Sequence, residues 1–477
     1  MNIAIKKPIL ISGVSLSFLL WFWQSFSNSL GQWGEFSFWG VVFVSGFFLF
    51  IRPPKKANHP PVVSFSPITK EVFTQTTNQV QGLIDLFVTE TADFSRDDSV
   101  ISADIFQQQF SLIKSKCDRT TAQVAIVSNH NLNSDNLKNI LEKENNQTVF
   151  TTINTLSLDN YKFNQLILNY DLILFLIQGD LTESEKEILE KLAIKRQKII
   201  LTFNQTDYHL PEENKDILKQ IETRTKGIIS SANIITVTTK NQTIKVKKYQ
   251  NQEQYQEWEE IIKPQCNKLI NQLSNILNND QENLFIATAY RQTIQLKQNI
   301  QLQLNQVRKR KALPVIEKYQ WIAASATFAN PVASLDLLAV GAINTQMIID
   351  LGGIYKQKIS LSQAQQISLE LAKLMMKLGI VEISTQTIAT ILKTNSITYI
   401  AGGAIQGISA AYLTRICSLS LIEYLEQQEI NLAQNHNTIS LKNIKEKLEK
   451  VFTENQQKTF IHGFIQQTTQ QLGWKTS

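Results

Sequence analysis

The hydrophobic pattern opens with two long apolar stretches, residues 8–23 and 36–51, with no charged side chain between Lys7 and Glu35. At about 1.5 Å of rise per residue, helices over residues 8–26 and 34–51 would each cover most of a hydrocarbon core about 30 Å thick. Lys6 and Lys7 precede the first stretch, Arg52, Lys55 and Lys56 follow the second, and residues 24–35 hold no Lys or Arg. The positive-inside rule then predicts a multi-pass membrane protein with both termini cytoplasmic, and Trp21, Trp23, Trp33 and Trp39 are available as interfacial anchors. Residues 1–57 therefore read as a transmembrane hairpin. A cleaved signal peptide with its site near Ser27 and Ser29 is the bland alternative; the second apolar run with its basic flank reads instead as a stop-transfer. A buried soluble hairpin would need a polar face that Trp and Phe at this density do not leave.

After the hairpin the texture changes. Pro53, Pro54, Pro60, Pro61 and Pro67 mark an extended tether. Val72, Phe73, Val80, Leu83, Ile84 and Phe87 recur near helical spacing, so residues 58–118 read as linker and amphipathic helices. Over residues 119–250, short apolar runs at 124–127, 172–177, 199–203 and 234–237 alternate with helical patterns. That predicts a parallel sheet covered on both faces, with Thr182 and Glu185 forming a capping box for a helix to about residue 194. Residues 251–311 are rich in Gln and Asn, with apolar residues at helical spacing, and predict a helical hairpin ending at Arg308-Lys309-Arg310-Lys311. Such a basic run reads first as a solvated helix end and second as a contact for lipid headgroups.

Residues 312–430 read as a helical domain and 431–477 as a helical tail, so the fold class is α/β plus all-α. Pro331 suits a helix start after Asn330, and Ser362 with Gln365 suits another capping box. Residues 394–414 are uncharged and about one membrane span long, with Gly403, Gly407 and Ala411 as a helix-packing face of small residues. Asn395, Ser396, Thr398, Gln406 and Ser409 make a buried bundle helix the better reading. Asp336, Asp350, Glu382 and Arg415 are candidates for an internal ion pair that fixes helix register rather than for acid–base work.

Composition narrows the function classes. A formal net charge of +6 over 477 residues, largely lysine, fits a neighbour of anionic lipid better than a nucleic-acid binder. Cys117, Cys266 and Cys417 form no CxxC pair, and the five histidines form no HExxH, so neither a metal site nor a disulfide framework is expected.

Residues 119–247 resemble an Era-like GTPase domain. Asn204-Gln205-Thr206-Asp207 stands where such GTPases carry Asn-Lys-x-Asp, and Thr238-Thr239-Lys240 where they carry a Ser-Ala loop. The phosphate end departs from the pattern. A phosphate loop needs glycines for backbone donors, a lysine for the β/γ charge and a hydroxyl for Mg²⁺. In register stands Ser128-Asn129-His130-Asn131-Leu132-Asn133-Ser134-Asp135, which has none of these in place. Asp135 falls where phosphate charge would gather, at an expected helix start that it would cap. The nearest acidic residue to the switch motif is Asp159, without its glycine, and Gln205 replaces the lysine beside the base. The resemblance implies a vestigial nucleotide site made of Ser128, Asn133, Ser134, Asp135, Asn204, Asp207 and Thr238, without catalysis and without a resident cofactor. The alternative is GTP with Mg²⁺ bound through unconventional contacts, with Asn204 and Asp207 reading the base.

A second resemblance covers residues 312–424. Lys318-Tyr319-Gln320-Trp321-Ile322, Phe328-Ala329-Asn330-Pro331, Asn344-Thr345-Gln346-Met347, Gly352-Gly353-Ile354-Tyr355, Gly402-Gly403-Ala404-Ile405-Gln406-Gly407 and Ala410-Ala411-Tyr412-Leu413-Thr414-Arg415 follow in order. This block resembles the YcjF-like family, domain of unknown function 697, of the kind that follows Era-like GTPase domains in cyanobacteria. The resemblance implies a membrane-associated helical domain. Together the readings give an expected membrane-anchored, cytoplasm-facing interaction or regulatory module, not an enzyme. Its expected partners are the lipid bilayer and a protein, not nucleic acid, with oligomerisation through the helical domain possible. A GTP-binding switch, or a membrane-remodelling or channel component, is the alternative function.

Overall fold

The computed structural model describes residues 68–92, 102–129, 131–145, 147–155, 160–205, 211–251, 254–329, 333–394, 402–428, 441–456 and 458–471. The expected transmembrane hairpin and the proline tether lie outside the described residues. The element order begins with two amphipathic helices, α1 (Lys70–Thr91) and α2 (Ala103–Ser115). Thr69 and Ser102 cap them, each side-chain oxygen accepting a first-turn backbone N–H.

The sheet domain follows as β1 (Ala122–Ser128), α3 (Asn131–Glu144), β2 (Thr148–Asn154), α4 (Asn160–Leu166), β3 (Leu172–Ile177), α5 (Glu183–Ile194), β4 (Lys198–Asn204), α6 (Pro211–Arg224) and β5 (Ile234–Val237). The five strands pair in parallel in the order 2-1-3-4-5. Alternate residues of β1 feed opposite cores, because successive side chains of a strand point to opposite faces. Val124 and Ile126 pack with Leu137 and Leu141 of α3. Ala125 and Val127 pack with Phe163 and Ile167, with Leu189 and Leu192 of α5, and with Ile221 of α6. The predicted parallel sheet with two covered faces is therefore present, and the Thr182–Glu185 capping box opens α5.

Beyond β5 the structure departs from the predicted helical hairpin over residues 251–311. Residues 242–262 are instead an antiparallel ribbon of β6 (Gln242–Asn251) and β7 (Gln254–Ile262). The helices are α7 (Asn267–Asn279) and α8 (Gln281–Ala329), and α8 runs 49 residues, about 70 Å at about 1.5 Å per residue. It passes straight through the basic run that was expected to end a helix.

This long helix is shared by successive cores. Leu284 and Phe285 close the sheet domain's first core. Ala289, Leu296, Ile300, Leu304 and Val307 then form a stripe against α1 and α2, where Phe87 and Phe106 meet edge to face at 5.3 Å. Beyond the basic run, Ala312, Ile316, Tyr319 and Ala324 enter a helical bundle. That bundle is built from α9 (Ala333–Ile354), α10 (Leu361–Lys377), α11 (Ile380–Thr394), α12 (Gly402–Glu426), α13 (Leu441–Asn455) and α14 (Lys458–Gln471). The capping box of α10 is Ser360 with Gln363, two residues earlier than the predicted Ser362–Gln365 pair.

Among the described residues one helix, over Ala404–Glu426, is long and apolar enough to cross a membrane, and 72% of its apolar window is buried. Ile408, Ala411, Tyr412, Ile416 and Leu421 of α12 are fully buried in the bundle core. At Gly407 the helix approaches α8 so closely that a Cβ would lie 2.9 Å from the Ala324 carbonyl oxygen. Of the stretch 394–414, residues 395–401 lie outside the described residues. The expected internal ion pair does not form among Asp350, Glu382 and Arg415. Asp350 accepts from Tyr319 (2.6 Å) and Gln346 (2.9 Å), and Glu382 accepts from Gln386 (3.3 Å).

Arg308 and Lys311 of the basic run form a joint, while Lys309 and Arg310 stay exposed as expected of a solvated face. Arg308, only 1% exposed, donates from Nε (2.9 Å) and Nη2 (2.7 Å) to the two carboxylate oxygens of Glu90 at the end of α1. Lys311 donates to the Glu90 backbone carbonyl at 2.7 Å. The Arg308 guanidinium also faces the Tyr355 ring, whose hydroxyl donates to Glu426 at the end of α12. One buried fork thus ties α1, α8 and the bundle together, in a geometry that matches planar guanidinium to planar carboxylate.

Candidate functional site

In a doubly wound sheet of order 2-1-3-4-5, ligands bind outside the carboxyl ends of the strands, at the switch point between β1 and β3. At that point β1 ends in buried Ser128 and passes to Asn129, while β3 passes through Gly179 (φ 83°) to the Thr182 cap of α5. Glu185 folds back over this crevice. Its Oε2 accepts the Thr182 backbone N–H at 2.9 Å and the Thr182 hydroxyl at 2.7 Å, and its Oε1 accepts Nδ2 of Asn129 at 3.0 Å. Asn129 in turn accepts the Thr155 hydroxyl from the end of β2. Glu185 is 6% exposed. The protein's own carboxylate thus occupies the N-terminal cap of α5 and takes up the Asn129 amide beside the switch point.

The base end is similarly occupied. Asn204 is 2% exposed at the end of β4, and its Oδ1 accepts the Thr239 backbone N–H at 3.2 Å, which joins the β4 and β5 ends. Thr238 forms an antiparallel bridge to Gln265, with both backbone bonds at 3.0 Å. The buried Thr239 hydroxyl is left without a partner. Asp207 lies outside the described residues. Ser134 is buried in the first turns of α3 and Asn133 lies two residues from its start. Asp135 is exposed and four residues inside that helix, so it does not cap it; the helix begins at Asn131, earlier than expected. Ser128, Asn204 and Thr238 thus share one sheet edge, and Asp135 is not part of its charge. Asn129, Thr155 and Glu185 were not among the predicted site residues; only the capping-box role of Glu185 was legible.

At the opposite edge of the sheet, Asp171 is fully buried between β1, β3 and α8. It accepts the Gln123 backbone N–H (2.8 Å), the Thr288 hydroxyl (2.7 Å) and the Arg119 guanidinium. Arg291 of α8 donates to the Tyr170 carbonyl (3.0 Å) and to Thr288 (2.8 Å). Burial raises the Asp171 carboxyl against these donors and lowers the Arg291 guanidinium to about 10. Both shifts have desolvation as their main cause, the expected signature of charges held inside protein. Two cavities, about 480 and 270 Å³, open near this edge. No cluster of three His, Cys, Asp or Glu side chains suits a metal ion among the described residues.

Residues 291–457 match the model of a family described as a domain of unknown function, DUF697. The match begins at the buried Arg291 and covers the rest of the α8 spine and the bundle through α13, which supports the expected DUF697 domain with wider bounds than residues 312–430. No curated protein and no solved structure matches the chain.

Proposed function

We propose that the chain is a membrane-anchored, cytoplasm-facing interaction module, in which a non-hydrolysing GTPase-like sheet domain is joined rigidly to the DUF697 bundle. The observation that carries this reading is the Glu185 carboxylate over the switch point, paired to Asn129 and to its own helix cap. An anion entering there would have to displace an internal charge that is already satisfied, and no lysine is in register to compensate for it. The anchor rests on residues 8–51 and their basic flanks. The long shared helix supports a scaffold role, because a domain docked through one continuous helix and a buried ion pair has little freedom to switch.

Calorimetric titration of the full chain with GTP and Mg²⁺ tests the reading. No saturable heat is expected for the unmodified protein, nor for Glu185→Gln, which removes the charge but restores neither glycines nor lysine. Micromolar binding by the unmodified protein would refute it and establish a nucleotide switch.

A further inference from the structure

From the two cavities beside Arg196 we infer that the protein has a binding site for a small organic anion, a carboxylate or phosphate group on an apolar body. The inference does not rest on the nucleotide reading, because the site lies at the opposite sheet edge. Arg196 sits in the turn between α5 and β4 with φ 55°, at the left-handed position of the cap that ends α5, where the Gln197 N–H donates to Leu192 O at 3.1 Å. The Arg196 N–H donates to Ala193 O at 2.8 Å, and Nη1 of Arg291 donates to the Arg196 carbonyl at 3.3 Å.

Arg196 lines both cavities. The larger, about 480 Å³, is within the range of about 300–1,000 Å³ usual for ligand sites and combines Lys198 with Ile228, Leu284 and Ala287. The smaller, about 270 Å³, adds Lys195, Arg291 and Ile294. Among the described residues, Lys195, Arg196, Lys198 and Arg291 line the pair, and Asp280 of the larger cavity is the carboxylate in that lining. Arg291 is 4% exposed and its Nε is buried without a hydrogen-bond partner. Positive charge beside an apolar floor matches an anionic head on an apolar body, since each part alone leaves half of the lining unused.

The test is calorimetric titration of the full chain in zwitterionic nanodiscs, corrected for empty nanodiscs, with octanoate, octyl phosphate and octanol. One saturable site per chain is expected for at least one anion, and a preference between the two names the head group. Octanol lacks the charge, and its binding is expected to be about tenfold weaker or more. Arg196→Gly removes the guanidinium while suiting the left-handed backbone, so the fold is kept and anion binding falls about tenfold or more. Ala287→Phe, which fills the larger cavity, is expected to weaken binding as well. No saturable heat with either anion, equal binding of octanol, or anion binding unchanged in Arg196→Gly overturns the inference.

Discussion

At the scale of single residues, the Glu90–Arg308 fork sets the terms. Arg308 heads the largest fully buried side chains among the described residues, and its charge is tolerated there because both carboxylate oxygens of Glu90 receive it. Removing one partner leaves an uncompensated buried charge, so Arg308→Met alone is expected to lower stability by about 3–5 kcal/mol in chemical denaturation. Combining it with Glu90→Leu is expected to restore most of that loss; an additive double variant would count against the fork. Glu426 gives a pH signature at the same joint. Burial raises its carboxyl, against Lys309 and the Tyr355 hydroxyl, which favour the charged form. Its folded pKa therefore lies above the unfolded one, and folding takes up a proton. Its contribution to stability is full below the ordinary carboxylate range, is lost as pH rises through the raised folded value, and is then constant. Melting temperatures of Glu426→Gln across that window are expected to lack this fall, and an identical profile in both proteins would contradict the assignment. None of this was legible in Arg308-Lys309-Arg310-Lys311. A basic run shows its charge, but the carboxylate that makes it internal stands 218 positions earlier in the chain.

At the scale of elements, close backbone approach separates two glycines of the bundle. A Cβ at Gly407 would press on the Ala324 carbonyl, whereas one at Gly341, within α9, would meet nothing within 4 Å. Gly407→Ala is expected to destabilise by about 1–3 kcal/mol through overpacking, and Gly341→Ala to stabilise by about 0.5–1 kcal/mol through helix propensity. Denaturant midpoints of the two variants moving the same way would contradict the packing of α12 on α8. The strands that were legible, β1, β3, β4 and β5, carry apolar runs because most of their residues face a covered layer. Strand β2 was missed because it is an edge strand of mixed burial, with no such run in Thr148–Asn154. The ribbon was misread for a different reason. Ile261 and Ile262 joined a helical spacing that properly begins at α7, and this hid the alternation that pairs Lys245 with Glu259 and Lys247 with Glu257 in register. Strand order and the contact of Glu185 with Asn129 depend on non-local pairing, to which a period along the chain is blind.

At the scale of the whole molecule, the proposed account joins an N-terminal anchor to a body whose cores share α8. Deletion of residues 1–56 is expected to release the protein from membranes washed with high salt, because the apolar helix over Ala404–Glu426 is largely spent on the bundle core. Retention through both salt and carbonate washes would mean that the bundle itself embeds in the bilayer. The most direct test of the central claim, a crevice closed by its own carboxylate, is hydrogen exchange of the full chain with and without millimolar GTP and Mg²⁺. The account expects identical protection at Ser128, Asn129 and the Thr182–Glu185 cap in both conditions; GTP-dependent protection at those amides would contradict it.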